Sequence, residues 1–264
     1  MRAPAADNSS RDHGRMGFSL ASLNLHCGLD RHGTPYDVTA AVRVLAAEVV
    51  LVQENWRPRG EESLARRAAR ALGYDNVAEL DLVADTPLAA LNIVRGPVPA
   101  GSGAYGLAVL SRLPWSEYTT IALGAAPGDV TGARFAQVAA LPLGPGGVLR
   151  VVNTHLTHRL PYGPGQLRRL IGGLGVGGPP TVIGGDLNMC RPTVHLAAPY
   201  RPVLRGRTWP AHRPVAQIDH LLAGPGVGVV APRVVAEVGS DHRPIRAFVA
   251  LTRSPALRPM VSSG

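Results

Sequence analysis

Lysine is absent from this 264-residue chain, so all 27 basic residues are arginine. With 31 glycines and 24 prolines, that bias fits genome composition as readily as any function. Cysteine occurs only at Cys27 and Cys190, which excludes a disulfide framework and makes a cytoplasmic location the plain reading. Both thiols follow polar strings, but small buried hydrophobes are their simplest role. Trp, Tyr and Phe together number twelve, too few for extended stacking of single-stranded bases. No apolar run approaches the roughly 18 residues of a membrane span, and the N-terminus has no apolar signal core. There is no CxxC or HExxH for zinc, no GxSxG elbow, no P-loop, no internal repeat and no clear linker.

Acids are scarce in one half only. Residues 1–149 carry 13 arginines and 14 acids, whereas residues 150–264 carry 14 arginines and four acids, a net of +10. That asymmetry favours an anionic, phosphate-bearing partner without naming it, and a solvated arginine surface explains it equally well. It also predicts positive potential around a cleft built from the second half. No protein partner is evident.

The length and the 45% hydrophobic content suit one globular domain over 17–252, with loose tails at 1–16 and 253–264. Asp37 caps an expected helix to about Ala47. A second is expected over Glu61–Leu72, with acids in its first turn and Gly73 as its stop, and a third over Gln166–Leu174. Strands are expected at Phe18–Leu25, Val49–Gln53, Leu107–Ser111, Arg134–Leu141, Leu149–Thr154, Thr181–Ile183, Gln217–Leu222, Gly228–Val235 and Ile245–Leu251. Many strands with few helices between them imply stacked sheets with helices outside.

Three of the four acids in the second half end apolar runs: Asp186 in GGDLN, Asp219 in QIDHLL and Asp241 in GSDHRP. SLNLH around Asn24, LVQEN around Glu54 and VVNTHL around His155 have the same character. A charged group at the end of a buried strand needs a partner. Alternation gives each string one polar and one apolar face: Asn24 with His26, Asn153 with His155, Asp186 with Asn188, and Asp219 away from Ile218 and His220. Phosphoester hydrolysis needs charge neutralised on the phosphoryl oxygens, a deprotonated water and a stabilised leaving oxygen. Glu54 and Asn24 suit a sparse Mg²⁺ site, since that ion takes few carboxylates and keeps its waters. A His–Asp pair suits the base. Taken singly each string is unremarkable, an edge-strand histidine at His220 or a wall tryptophan at Trp209 included.

The ordered set NLH, QE, GLAVLSR, NTHL, GDLN, IDHLL and SDHRP resembles the endonuclease/exonuclease/phosphatase superfamily, whose fold is that of deoxyribonuclease I. The resemblance spans roughly residues 18 to 250. It implies a four-layer α/β/β/α sandwich, two mixed sheets face to face with helices outside. It implies Mg²⁺ (with Mn²⁺ as a substitute) held by Glu54, with Asn24 and Asp241 around it. Asp186 and Asn188 would hold the attacking water and the phosphate. Asp219 would orient His242, His155 would bind a phosphoryl oxygen, and Arg134 would contact phosphate. There is no PAWCDR-like string of inositol polyphosphate phosphatases, and no signal peptide of secreted sphingomyelinases. Nucleic acid and a small phosphorylated metabolite therefore stay equally open as substrates. Two other readings stand beside the Mg²⁺-dependent phosphoesterase: a repurposed enzyme of specialised metabolism with non-hydrolytic chemistry, and a non-catalytic binding protein.

Overall fold

The computed structural model describes residues 17–94, 96–144 and 147–252; the tails expected over 1–16 and 253–264 lie outside the described residues. Two six-stranded sheets form the frame. The first contains β1 (Gly17–Asn24), β2 (Val49–Pro58), β3 (Asn76–Pro87), β4 (Ser102–Ser111), β11 (Val227–Val234) and β12 (Ile245–Leu251), in the order β11-β12-β1-β2-β4-β3. The second contains β5 (Glu117–Gly124), β6 (Arg134–Pro142), β7 (Val148–His155), β8 (Thr181–Asp186), β9 (Arg201–Pro202) and β10 (Asp219–Ala223), in the order β5-β6-β7-β8-β10-β9. Each sheet has one parallel pair near its middle, β1 with β2 and β7 with β8.

The sheets meet over an apolar layer in which Phe18, Leu20, Val49, Leu51 and Val109 face Leu141, Leu149, Val151, Val182 and Leu221. Helices α1 (Val38–Leu45) and α2 (Leu64–Leu72) cover the outside of the first sheet through Val42, Leu45, Ala65 and Ala68. Helix α3 (Tyr162–Leu174) covers the second through Leu167, Leu170 and Leu174, followed by the short α4 (Arg191–Val194). This is the expected four-layer sandwich. No helix among the described residues is long and apolar enough to cross a membrane.

A polar pin interrupts the apolar layer beneath one end. Asn153 Nδ2 donates to Val52 O, Ala108 O and Gln137 Oε1, each at 2.9 Å. Its Oδ1 accepts from Gln53 Nε2 at 2.7 Å. All five residues are buried, and a fully satisfied buried network of this kind fixes the register of one sheet on the other.

Element boundaries depart from expectation where local chemistry overrides pattern. Helix α2 begins at Leu64, not Glu61, because the Ser63 side chain accepts from Arg66 N and caps it. Glu61 and Glu62 lie ahead of the helix and reach Arg67 and Arg70 at 3.8 and 2.9 Å. Strand β2 does not stop at Gln53. It continues to Pro58 past a register shift between Val52 and Asn55. Strands β3, β5 and β9 have no counterpart among the expected strands.

Candidate active site

The C-terminal ends of β1, β7 and β8 bring Asn24, His155 and Asp186 to one end of the sandwich, where a bulge within β2 adds Glu54. Asp219 opens β10, paired directly opposite Asp186, and Asp241–His242 come from the loop before β12. Glu54, His155, Asp186, Asp241 and His242 line a cleft of about 480 Å³, and Asn24 and Asp219 bond to Glu54 and His242 from behind that lining. Glu54 reaches it by the bulge in β2, where its φ is +52°. An extra residue in one strand re-aims the side chain that carries it, so Glu54 faces the cleft although the strand runs on. Asn188, at φ +50°, does the same after β8, a conformation asparagine tolerates better than most residues.

The structure brings Asp219 and His242 together: His242 Nδ1 lies 3.0 and 3.2 Å from the two oxygens of Asp219. Its Nε2 is 3.8 Å from Asp186 Oδ2 and 3.9 Å from Asp241 Oδ1. Burial opposes charge on His242, but Asp219, Asp186 and Asp241 override it and hold its pKa well above the usual imidazole value. Asp186 is pushed up to about 7, chiefly by burial and then by the charges of Asp219 and Glu54, against the pull of His242. Asp186 accepts from Asn188 N at 2.9 Å and from Asn24 Nδ2 at 3.1 Å.

Asn24 also donates to Glu54 Oε1 at 3.0 Å, while its own Oδ1 accepts from His26 N at 2.9 Å. It therefore bridges two carboxylates, and its carbonyl oxygen is committed to the backbone. His155 lies with Nε2 3.1 Å from Asn188 Nδ2, 3.4 Å from Asp186 Oδ2 and 3.9 Å from Glu54 Oε1. The Asn188 amide is oriented by donating to Leu156 O at 2.9 Å, so its NH₂ faces the ring. The ring is then protonated at Nδ1, 3.2 Å from Tyr105 Oη. Burial first, then the charges of Arg134 and His242, hold the His155 pKa well below its usual value. A neutral ring in this tautomer accepts at Nε2, so its contacts with Glu54 and Asp186 are not ion pairs.

Arg134 lines the cleft but is 1% exposed. Its guanidinium pairs with Asp129 at 2.9 Å, bonds to Thr131 Oγ1 and donates to His155 O at 3.4 Å. The expected open phosphate contact is thus already occupied by protein groups, and Arg134 clamps the 129–131 loop to the His155 backbone. The charge expectation also needs correcting. The residues lining the cleft include Glu54, Asp129, Asp186 and Asp241 but a single arginine, the paired Arg134. The surplus of positive charge lies elsewhere.

Several participants carried no sequence signal as functional groups. Asp129, in GDVTGAR, reads as a turn. Tyr105 reads as one inward residue of an apolar strand, although a buried phenol normally seeks a polar partner. His26 follows β1 on a 3₁₀ turn at φ +49°. Its ring nitrogens lie 2.9 Å from Leu29 O and 3.1 Å from Ile93 O, and its Nδ1 is 3.7 Å from Asp241 Oδ1. Trp209 is a wall residue, 39% exposed, and its Nε1 donates to Asp241 Oδ2 at 3.0 Å. His220 is structural, buried with Nε2 2.8 Å from Met189 O. Cys27 is buried as expected, whereas Cys190 is exposed, against the expectation.

Two carboxylate oxygens in this lining, Glu54 Oε2 and Asp241 Oδ1, are buried without any hydrogen-bond partner. Buried anionic oxygens are costly unless a donor or cation meets them. Glu54, His155 and Asp186 also place one potential ligand atom each within 4.8 Å of one another. The donor set is oxygen-rich, which fits a hard divalent ion.

The model of the Endonuclease/Exonuclease/phosphatase family matches residues 21–242. The chain belongs to this family. Members of the endonuclease/exonuclease/phosphatase family are mostly hydrolases acting on phosphoester bonds, and they are generally dependent on divalent metals. Solved structures share its fold. An endonuclease/exonuclease/phosphatase from Beutenbergia cavernae is 21% identical with TM-score 0.70, over 92% of this chain and 73% of that one. D. rerio TDP2 complexed with single strand DNA product is 16% identical with TM-score 0.63, over 88% and 98%. The mannosyl-6-phosphatase of Bacteroides thetaiotaomicron is 13% identical with TM-score 0.59, over 88% and 99%. No curated protein matches the sequence.

Proposed function

We propose that this chain is a divalent-metal-dependent phosphoester hydrolase, with Mg²⁺ as the ion its oxygen donors fit. The observation that carries the reading is the pair of orphaned carboxylate oxygens, Glu54 Oε2 and Asp241 Oδ1, beside the Asp219–His242 dyad. Glu54 and Asp241 would hold the ion, with Asn24 fixing Glu54. When bound, the ion supplies positive charge against phosphoryl oxygens and the leaving oxygen.

The chain's own groups divide the proton work. Asp219 occupies His242 Nδ1 and turns Nε2 toward the cleft. With its pKa raised, His242 enters as an imidazolium that stabilises the phosphoryl group. Asp186, pushed up to about 7, suits acceptance of the proton of the attacking water, because a base works best with a pKa near the working pH. Asn188, anchored to Leu156 O and His155, orients the water and phosphate beside Asp186.

The test is turnover of bis(p-nitrophenyl) phosphate, p-nitrophenyl phosphate, nucleotides, DNA and RNA with Mg²⁺ and with EDTA. At least one should be hydrolysed with Mg²⁺ and not with EDTA. A panel with no metal-dependent turnover overturns the reading.

A further inference from the structure

The positive charge missing from the cleft is concentrated beside it. Arg205, Arg207, Arg233 and Arg243 line a groove of about 610 Å³, and none of its lining residues is acidic. The next acid along the chain, Glu237, lines a neighbouring groove with Asp30 and Asp241. Among the described residues, no carboxylate forms an ion pair with any of the four arginines.

Three features of the backbone bring these charges together. Gly206 lies so close to β11 that a Cβ there would fall 2.5 Å from Val234 Cγ2, so only glycine lets the flanking Arg205 and Arg207 approach the strand. Gln217 holds that loop, accepting from Gly206 N and donating to Leu204 O, both at 3.2 Å. Strand β11 carries a register shift between Val230 and Arg233, with Ala231 at φ +48°. Val227, Val229 and Val234 all pack against the inter-sheet core. A regular strand would keep residue 233 on the side of 227 and 229. The bulge reverses that parity, so Val234 takes the core and Arg233 is turned away from it.

Arg233 is also paired in register with Arg246 of β12, although like charges directly opposite each other are destabilising. Arg246 donates to Ala46 O at 2.8 Å, while its Nε is buried without a partner. Local geometry that gathers cations with no protein anion points to an anion from outside. Two short segments tie the groove to the catalytic cleft. Arg207 is two residues from Trp209 in the cleft wall, Arg243 adjoins His242, and Arg243 N donates to Thr208 O at 2.8 Å.

We propose that this groove is a second phosphate site, holding further phosphates of a phosphodiester chain whose reacting phosphate lies in the cleft. The assignment rests on the hydrolase reading for the cleft and adds the substrate's form: a nucleic-acid strand, not a small monophosphate.

The test uses the full chain with Ca²⁺ in place of Mg²⁺ and a fluorescein-labelled 20-nucleotide thymidylate strand, read by anisotropy across a salt series. The triple variant R205A/R207A/R233A should bind at least about tenfold more weakly at low salt. Its plot of log affinity against log salt should be shallower by about 2, roughly 0.7 for each of three phosphates no longer neutralised. Turnover of bis(p-nitrophenyl) phosphate with Mg²⁺ should be unchanged. R205K/R207K/R233K should keep the wild-type salt slope, separating charge from folding. Equal affinity and slope in the alanine variant overturn the proposal. So does a parallel loss of small-diester turnover, which would mean that the arginines only shape the cleft. Wild-type protein that binds inorganic triphosphate but not the strand also overturns it. Arginine-dependent strand binding without metal-dependent turnover of any substrate would uphold the groove and sink the hydrolase reading instead.

Discussion

The two sides of the cleft are finished to different degrees. On the side built by the second sheet, both Asp186 oxygens accept bonds, Asp219 faces His242 through both of its oxygens, and each His155 nitrogen has a polar neighbour. On the side built around the first sheet, Glu54 and Asp241 each use one oxygen and leave the other buried and bare. The first arrangement is a preorganised hydrogen-bond net, whose geometry is complete before anything binds. The second is a set of anionic ligands that is incomplete without a cation. Substitutions on the two sides should therefore act in opposite directions on the metal-free protein.

The largest expected effect is on the finished side. His242→Ala should lower kcat by about 10²–10³-fold, the usual cost of removing one preorganised donor aimed at charge developing in the transition state. Asp219→Asn should lose much of the same rate and also lower stability, since it removes the partner of a buried imidazolium. Steady-state kinetics with Mg²⁺ and thermal melting in EDTA check both. Wild-type turnover in either variant breaks the contrast at its stronger end.

Behind the same side, Asp129→Ala should cost about 3–5 kcal/mol, because it leaves the buried Arg134 charge uncompensated; the two side chains are 1% and 2% exposed. Burial opposes ionisation of Asp129, but Arg134 and the hydroxyls of Thr131 and Thr157 overcome it and hold its pKa well below the carboxylate range. A depressed folded pKa stabilises above the unfolded value, about 3.9, and that stability is lost as pH falls through the folded value. Urea denaturation should show the full wild-type advantage over Asp129→Asn at neutral pH, shrinking below about pH 4. An advantage that grows toward acid would contradict the sign.

What the sequence showed of all this follows burial. Central strands such as β1, β7 and β8 are continuous apolar runs ending in a polar string, so Asn24, His155 and Asp186 were legible from alternation alone. The three unforeseen strands, β3, β5 and β9, all lie at the sheet side or edge away from the parallel pairs, each at one end of its sheet's order. NVAELDLVADTP in β3 has no fully buried residue, so no hydrophobic period marks it. The Glu54 bulge and the Asp129–Arg134 clamp were hidden for another reason. The bulge depends on the pairing of β2 with β4, distant in sequence; the clamp joins residues only five apart, but its further partners, the Thr157 hydroxyl and the His155 carbonyl, lie far along the chain.

On the unfinished side the expected sign reverses. Glu54→Gln keeps the shape and removes an uncompensated buried charge. In EDTA it should raise stability by about 0.5–2 kcal/mol, the range common for relief of a functional cost, while abolishing most of the Mg²⁺-induced rise in Tm and most of the turnover. Differential scanning calorimetry with and without Mg²⁺ reads both effects. A metal-free variant less stable than wild type would show that Glu54 is already compensated by protein groups.

The smallest effect should come from the one bond that aims Asp241. Trp209→Phe removes the Nε1 donor to Asp241 Oδ2 and keeps an aromatic wall. Groups that orient metal ligands typically contribute 10–100-fold in affinity. Trp209 is 39% exposed, and water can replace its N–H, so the loss should lie at or below about tenfold. The apparent Mg²⁺ constant should weaken by that amount, with kcat at saturating Mg²⁺ near wild type and little change in EDTA melting. That split distinguishes orientation of a ligand from participation in proton transfer. A Mg²⁺ titration of activity giving an unchanged constant would remove Asp241 from the ligand set and leave Glu54 as the principal carboxylate on that side.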